Sequence, residues 1–188
     1  MNASLKANYF NESSIFVYSL VSLIVLLDQV TKMIVKKSMI LYDSIPIIGN
    51  FLRLTYIENA GMAFGIQVQN RIVFTLLSIL ATLIVSAYLI RLSNGKFVFR
   101  FSLALILGGA VGNLIDRILR GRVVDFIDVE FFDISIPPLD LWFLHFPGYA
   151  LTRWPIFNIA DSAVTCGLIL LTLLLIFQKD PVGQELTT

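Results

Sequence analysis

Four stretches of this 188-residue chain carry no charged side chain over lengths that suit a membrane crossing: between Glu12 and Asp28, Arg71 and Arg91, Arg100 and Asp116, and Asp161 and Lys179. A helix needs about 20 mainly apolar residues to cross about 30 Å of hydrocarbon, and flanking polar residues extend a shorter run. Leu168 to Leu171 are apolar at successive positions, so the alternation of a transmembrane β-barrel is missing. The composition agrees, at 57% hydrophobic and 14% charged, where a water-soluble domain carries about a quarter charged residues. The expected fold is an α-helical integral membrane protein, one membrane domain over 1–188, with spans at about 13–33, 71–91, 100–116 and 157–178.

The connections are unequal. The segment 37–70 contains a strand-like run, Phe51-Leu52-Arg53-Leu54-Thr55-Tyr56-Ile57, bounded by Pro46, Gly49, Gly61 and Gly65, which predicts a small β-containing element. Spans two and three are joined by a short basic turn around Arg91-Leu92-Ser93-Asn94-Gly95-Lys96. The segment 117–156 is long and rich in Phe, Trp and Tyr, a composition suited to the headgroup belt. Placing the short basic turn in the cytoplasm puts both termini there and both long segments outside. That arrangement leaves Lys6, Arg91, Lys96, Arg100 and Lys179 inside and the other nine basic residues outside, so a simple positive-inside count does not decide orientation. The first run offers no small-x-small cleavage site at Leu26-Leu27-Asp28-Gln29 and is expected as a retained helix. Ala104, Gly108 and Gly112 recur at four-residue spacing, which suits close helix packing.

A net charge of +1 offers no basic surplus for a phosphate backbone, which excludes nucleic acid as a partner. Cys166 and His145 are the sole residues of their kinds, so no Cys/His metal site is expected, nor is a cofactor. The acids are more informative. An ionisable residue in a span costs at least about 2.5 kcal/mol on insertion scales and is a functional hypothesis by default. Asp28 ends the first span, Asp116 ends the third and Asp161 begins the fourth, so an up-down bundle brings all three to one membrane face.

Two of these acids stand in the same pattern, Asn113-Leu114-Ile115-Asp116 and Asn158-Ile159-Ala160-Asp161. At i,i+3 the amide and the carboxylate share a helix face, and the Asn can orient its Asp or a substrate carbonyl. Paired carboxylates near an apolar layer suit acid/base work on a water, because like charges in close contact do not both ionise. Two other readings stand beside this one. Asn158 can be the N-cap of the fourth helix, and intramembrane carboxylates also serve proton or ion pathways. Asp28 and Lys32, at i,i+4, can pair as structural support, or Lys32 can reach lipid phosphate.

The motifs Asp28-Gln29-x-x-Lys32, Asn59-Ala60-Gly61-Met62-Ala63-Phe64-Gly65, Gly108-Gly109-Ala110-x-Gly112-Asn113-Leu114-Ile115-Asp116-Arg117, Val123-Val124-Asp125-Phe126 and Phe157-Asn158-x-Ala160-Asp161 together resemble those of the bacterial lipoprotein signal peptidases. The resemblance implies a membrane aspartyl endopeptidase that removes the signal peptide from diacylglyceryl-modified prolipoproteins, cutting before the lipid-bearing cysteine. It implies a catalytic dyad of Asp116 and Asp161; Asn59, Asn113, Arg117, Asn158 and Ala160 as substrate-orienting residues; and Asp28, Lys32, Gly61, Gly65, Gly108, Gly112 and Asp125 in support. It further implies a monomer in the bacterial cytoplasmic membrane among lipids, with both termini cytoplasmic and the dyad near the outer face. The segment 129–154 is longer than this family usually has, so the family's geometry does not carry over to it.

Overall fold

The computed structural model describes residues 3–60, 62–63, 66–67, 71–92, 97–130, 134–141, 144–146, 149–151 and 153–177; Gly61 and Gly65 lie outside the described residues. Helices α1 (Ala3–Ser38), α2 (Arg71–Arg91), α3 (Phe97–Arg120) and α4 (Ile159–Phe177) form the bundle. Their segments Ser14–Ser38, Ile72–Arg91, Phe97–Arg120 and Ile159–Phe177 are long and apolar enough to cross a membrane. Helix α1 runs past residue 33 through Lys36 and Lys37, and α3 begins before residue 100 and continues past Asp116. A charge-free interval marks apolar surface, whereas a helix continues wherever its charges find partners. Asp28–Lys32 and Asp116–Arg120 are both i,i+4 ion pairs. Helix α3 stops at Gly121, whose φ of 70° is the left-handed conformation that glycine adopts without a Cβ penalty.

Helix α3 is the hub. Half of its span is buried within the protein, against 11% for α2 and for α4, and it packs on α4, α1 and α2. Glycine makes this possible. A Cβ at Gly109 would stand 2.2 Å from the Ala160 carbonyl oxygen, and one at Gly112 would stand 2.7 Å from Asp28 Oδ2. Helices α4 and α1 thus approach α3 at a distance only glycine permits. Val17, Leu89, Leu103, Ala104 and Leu107 close the core below these contacts. Leu76, Leu80 and Leu83 of α2 and Leu173 and Ile176 of α4 are exposed, as lipid-facing side chains are.

A three-stranded antiparallel sheet caps one end of the bundle in the order β1 (Ser44–Ile48), β2 (Leu52–Asn59), β5 (Val123–Val129). Two of its strands precede α2 and the third follows α3, so the β element expected in 37–70 is completed by the later connection. Tyr56, Val124 and Phe126 of the sheet bury against Val35 near the end of α1. Phe157 bridges to β5, its N–H donating to the Ile127 carbonyl at 3.1 Å and its carbonyl accepting from Ile127 at 2.7 Å. That bridge delivers α4 to the sheet with its first residues facing β5.

Short strands β3 (Met62–Ala63) and β4 (Ile66–Gln67) pair with each other. Within the aromatic segment lie β6 (Ile134–Ile136), β7 (Leu139–Leu141), β8 (Leu144–Phe146) and β9 (Tyr149–Leu151), where the sequence suggested only a loop.

Candidate active site

The first constellation is built around Lys32, a lysine with 1% of its surface exposed. Its Nζ meets Asp28 Oδ2 at 2.8 Å, Asp116 Oδ2 at 2.9 Å and Asn113 Oδ1 at 2.9 Å. An ammonium has three donors, and all three are used inside the protein. The lipid-phosphate reading of Lys32 is thereby replaced by the structural one. Asp28 is fully buried; its Oδ1 accepts the Ala160 N–H at 3.0 Å, and its Oδ2 also accepts Gln29 Nε2 at 3.0 Å. A carboxylate so placed satisfies an orphan donor in the first turn of α4 and lies favourably in its dipole.

Asp116, also fully buried, is enclosed on every side. Beside Lys32 it accepts from Arg120 Nη1, from the Val124 N–H at 3.3 Å and, more distantly, from Gln29 Nε2 at 3.4 Å. Arg120 also donates to Gln29 Oε1 at 3.1 Å. Gln29 and Arg120 are site residues that the sequence reading did not assign. The signal for Arg120 was present, since it stands four residues after Asp116 on one helix face.

The second constellation centres on Asn158. Its Oδ1 accepts the Asp161 N–H at 2.9 Å, while Asp161 Oδ2 accepts the Asn158 N–H at 3.1 Å, a reciprocal box that caps α4. The capping reading therefore holds, and Asn158 does more. Its Nδ2 donates to Asp125 Oδ1 at 2.7 Å and also lies within reach of Asn113 Oδ1 at 3.1 Å and the Val124 carbonyl at 3.3 Å. Asp125 in β5 accepts on its other oxygen from Asn59 Nδ2 at 3.1 Å. The sheet thus supplies a third acid beside the two on helices. Burial pushes the Asp125 carboxyl up to about 7, with the charge of Asp161 acting in the same direction; hydrogen bonds from Asn59 and Asn158 and the charge of Lys32 oppose the rise.

The two Asn-x-x-Asp patterns do not close on themselves alike. Asn113 donates to Asp161 Oδ1 at 2.7 Å instead of to its own Asp116, because Lys32 already occupies the space between them. Asn113 is therefore the link between the constellations, accepting from Lys32 and Asn158 and donating to Asp161. Ala160, expected to orient substrate, is fully buried and packs on Gly109 and Gly112. Arg117 lies with its guanidinium 4.6 Å from the Phe74 ring centroid, in a cleft of about 320 Å³ that it lines with Ile72, Thr75, Leu76, Ile118 and Gly121. On β2, Glu58 accepts from Tyr56 Oη at 2.9 Å and pairs with Lys36 at 3.0 Å, which holds the strand that carries Asn59. No cluster of His, Cys, Asp and Glu that could hold a metal ion occurs among the described residues.

Four membrane-crossing helices with buried acids gathered where a small sheet meets one end of the bundle define a multi-pass membrane protein with a carboxylate-based site. Residues 20–177 match the family described as signal peptidase (SPase) II, and the chain belongs to that family of membrane proteases. Among curated relatives, the lipoprotein signal peptidase of Pelodictyon phaeoclathratiforme is 42% identical over 153 residues, covering 80% of this chain and 83% of its own. That of Halothermothrix orenii is 37% identical over 168 residues, covering 89% and 99%. A solved bacterial membrane enzyme, obtained by the in meso method, superposes with a TM-score of 0.65 at 31% identity, covering 90% of this chain and 92% of that one. Family membership sets aside the proton or ion pathway.

Proposed function

We propose that this chain removes signal peptides from lipid-modified prolipoproteins, cutting before the lipid-bearing cysteine, and that Asp161 and Asp125 form its acid pair. The observation that carries the pairing is Asn158, which donates to Asp125 through its side chain and to Asp161 through its backbone. Asp125 makes no ion pair among the described residues, and its neighbour Asp161 raises its affinity for a proton. Such a pair holds one proton between two acids near neutral pH, the condition for acid/base work on water. Asp116, the partner expected from the sequence, is enclosed by Lys32, Arg120 and Val124 N–H; on this reading it positions Lys32 and Asn113.

In the reaction, the ionised carboxylate of the pair takes a proton from water as the water oxygen bonds to the scissile carbonyl carbon. The protonated carboxyl gives its proton to the carbonyl oxygen. Collapse of the tetrahedral species breaks the C–N bond, and the departing nitrogen takes up a proton from the pair. Asn59 and Asn158 hold Asp125 in place, and Asn113 and the α4 cap hold Asp161. The protein acts as a monomer in the bacterial cytoplasmic membrane, its spans in lipid, both termini cytoplasmic, and the sheet and acid pair at the outer face. The deciding test is cleavage of a lipidated precursor by Asp125→Asn, Asp161→Asn and Asp116→Asn variants, each confirmed as folded. Loss of turnover in the first two, with a residual rate in the third that keeps the wild-type pH profile, supports the reading. Near-wild-type turnover by Asp125→Asn would return Asp116 to the pair.

A further inference from the structure

The residues that lead into α4 run antiparallel to β5 as a short, irregular addition to the sheet. The Trp154 N–H donates to the Val129 carbonyl at 3.0 Å, and the Phe157 N–H to the Ile127 carbonyl at 3.1 Å. Between them Pro155 has no N–H to give. The Phe157 carbonyl accepts from both Phe126 at 3.0 Å and Ile127 at 2.7 Å, two donors one residue apart, as at a β-bulge. Backbone bonds alone therefore specify the register of this stretch weakly.

Register matters here because the stretch carries α4 to the site. Asp125 stands on β5 and Asp161 in the first turn of α4. A slip of one residue moves one chain past the other by about 3.3 Å, more than a hydrogen bond tolerates. Asn158, which bonds both acids, would lose its hold on Asp125.

Arg153 supplies what the backbone lacks. Its Nε bonds Asp128 Oδ1 at 2.7 Å, its Nη1 bonds Glu130 Oε2 at 2.5 Å and its Nη2 donates to the Asn50 carbonyl at 3.2 Å. Asp128 and Glu130 flank Val129, the residue that receives the Trp154 N–H. A slip of one residue in either direction would set Val129 and a second apolar residue, Ile127 or Phe131, in place of the two acids. The planar fork of an arginine is suited to such a two-carboxylate contact. Asp128 is the inner anchor, with 7% of its side chain exposed against 41% for Glu130. It is itself held by Thr55 Oγ1 of β2 at 2.7 Å, and Thr55 bonds Ser44 of β1 at 2.7 Å. The clamp thus ends a polar row that crosses all three strands.

We propose that Arg153, which bonds neither acid of the pair, is a positioning residue for the cleavage reaction: its fork on Asp128 and Glu130 sets the register of 153–158 on β5 and thereby the spacing of Asp125 and Asp161. The role rests on the pairing of those two acids proposed above. The chain leaves the sheet after Glu130 and returns at Arg153, so the same clamp closes the long aromatic segment at its base.

The test is steady-state cleavage of a lipidated precursor by Arg153→Ala, with folding checked by melting in detergent. The clamp is partly open to solvent, so its loss should leave the melting temperature nearly unchanged. Because misplacement of reacting groups by about 1 Å costs up to about a hundredfold in rate, kcat should fall at least about tenfold with KM within about twofold. Arg153→Lys, which keeps the charge but not the fork, should recover part of the loss, and Glu130→Gln should lose less than Arg153→Ala. The charged groups facing Asp125 are Asp161 of α4, Lys32 of α1 and Arg117 of α3. Asp161 pushes the Asp125 carboxyl up more than the Asn158 hydrogen bond holds it down, so displacing α4 should move the alkaline limb of the rate profile to lower pH. Unchanged kcat in a folded Arg153→Ala would overturn the role, as would a rise in KM alone, which assigns Arg153 to precursor binding. A loss of kcat with an unmoved pH profile, or one matched by a lost melting temperature, would reduce Arg153 to a stabilising contact and also overturn it. Asp125→Asn assayed alongside separates the two readings. Turnover there rejects the acid pair and this role with it, whereas an inactive Asp125→Asn beside a fully active Arg153→Ala rejects the role of Arg153 alone.

Discussion

Asp116 and Asp125 are nine positions apart and both almost wholly buried, yet they should respond to the same change in opposite ways. Asp116→Asn withdraws a charge from Lys32 and Arg120; breaking a buried ion pair costs about 3–5 kcal/mol, and thermal unfolding in detergent should show a clear drop. Asp125→Asn removes a charge that burial already disfavours, and its cost should be nearer the ~1 kcal/mol of an altered hydrogen bond. Activity should show the reverse order, with Asp125→Asn the more damaging. The pH dependence of stability follows from the same group. Its folded pKa of about 7 lies above the ordinary 3.8, so the fold favours the protonated form. The associated stability is fully present below about pH 4 and is lost as pH rises through 7, at up to about 1.4 kcal/mol per pH unit. Wild-type melting temperature measured from pH 5 to 8 should therefore fall relative to that of Asp125→Asn; parallel curves would rule the shift out. Cleavage rates should decline on the alkaline side near neutrality, with an apparent pKa that belongs to the acid pair.

At the scale of elements, the contact between α3 and the start of α4 sets the site. Gly109→Ala would drive a methyl group into the Ala160 carbonyl, and because the obstacle is backbone the helices must part. Overpacking of this kind costs about 1–3 kcal/mol, but the larger effect should be on cleavage, because Asp161 and Asn158 travel with the end of α4. A Gly109→Ala variant that still folds and cleaves normally would show that the helix contact is not what registers the site. Asn158→Ala removes a cap worth about 1 kcal/mol together with the donor to Asp125. It should lower kcat well beyond what the loss in melting temperature explains, whereas Asn158→Asp, which keeps the cap but sets a buried carboxylate against Asp125 and the Val124 carbonyl, should recover neither stability nor rate.

Across the whole molecule, four spans require both termini on one side. In a Cys166→Ser background, single cysteines near Lys6 and Gln184 should both resist an impermeant thiol reagent in intact cells, while one placed at Asp133 should be labelled. Labelling of one terminus alone is incompatible with four crossings. Because no charge rule decides the orientation, with nine of the basic residues on the sheet side, the experiment also reads a property that composition leaves open. Three of those nine, Lys32, Arg120 and Arg153, are engaged by acids of the same face.

Four apolar intervals and the acids at their ends were enough to establish a four-helix membrane protein with its carboxylates at one end, because hydrophobic length and charge placement act locally along the chain. The i,i+4 pairs of Asp28 with Lys32 and of Asp116 with Arg120 are likewise written in helical spacing. What spacing does not contain is the crossing of partners between elements. Asn113 reaches Asp161 instead of Asp116, a strand that follows α3 completes a sheet begun before α2, and Asp125 is carried from an unremarkable β-strand into the middle of the site. These are matters of which surfaces meet, decided by glycine-close packing of α3 on α4 and by the Ile127–Phe157 bridge. Which carboxylate is clamped by cations and which keeps a proton near neutral pH was set by tertiary structure alone, since burial and the nearest charge are properties of the assembled fold.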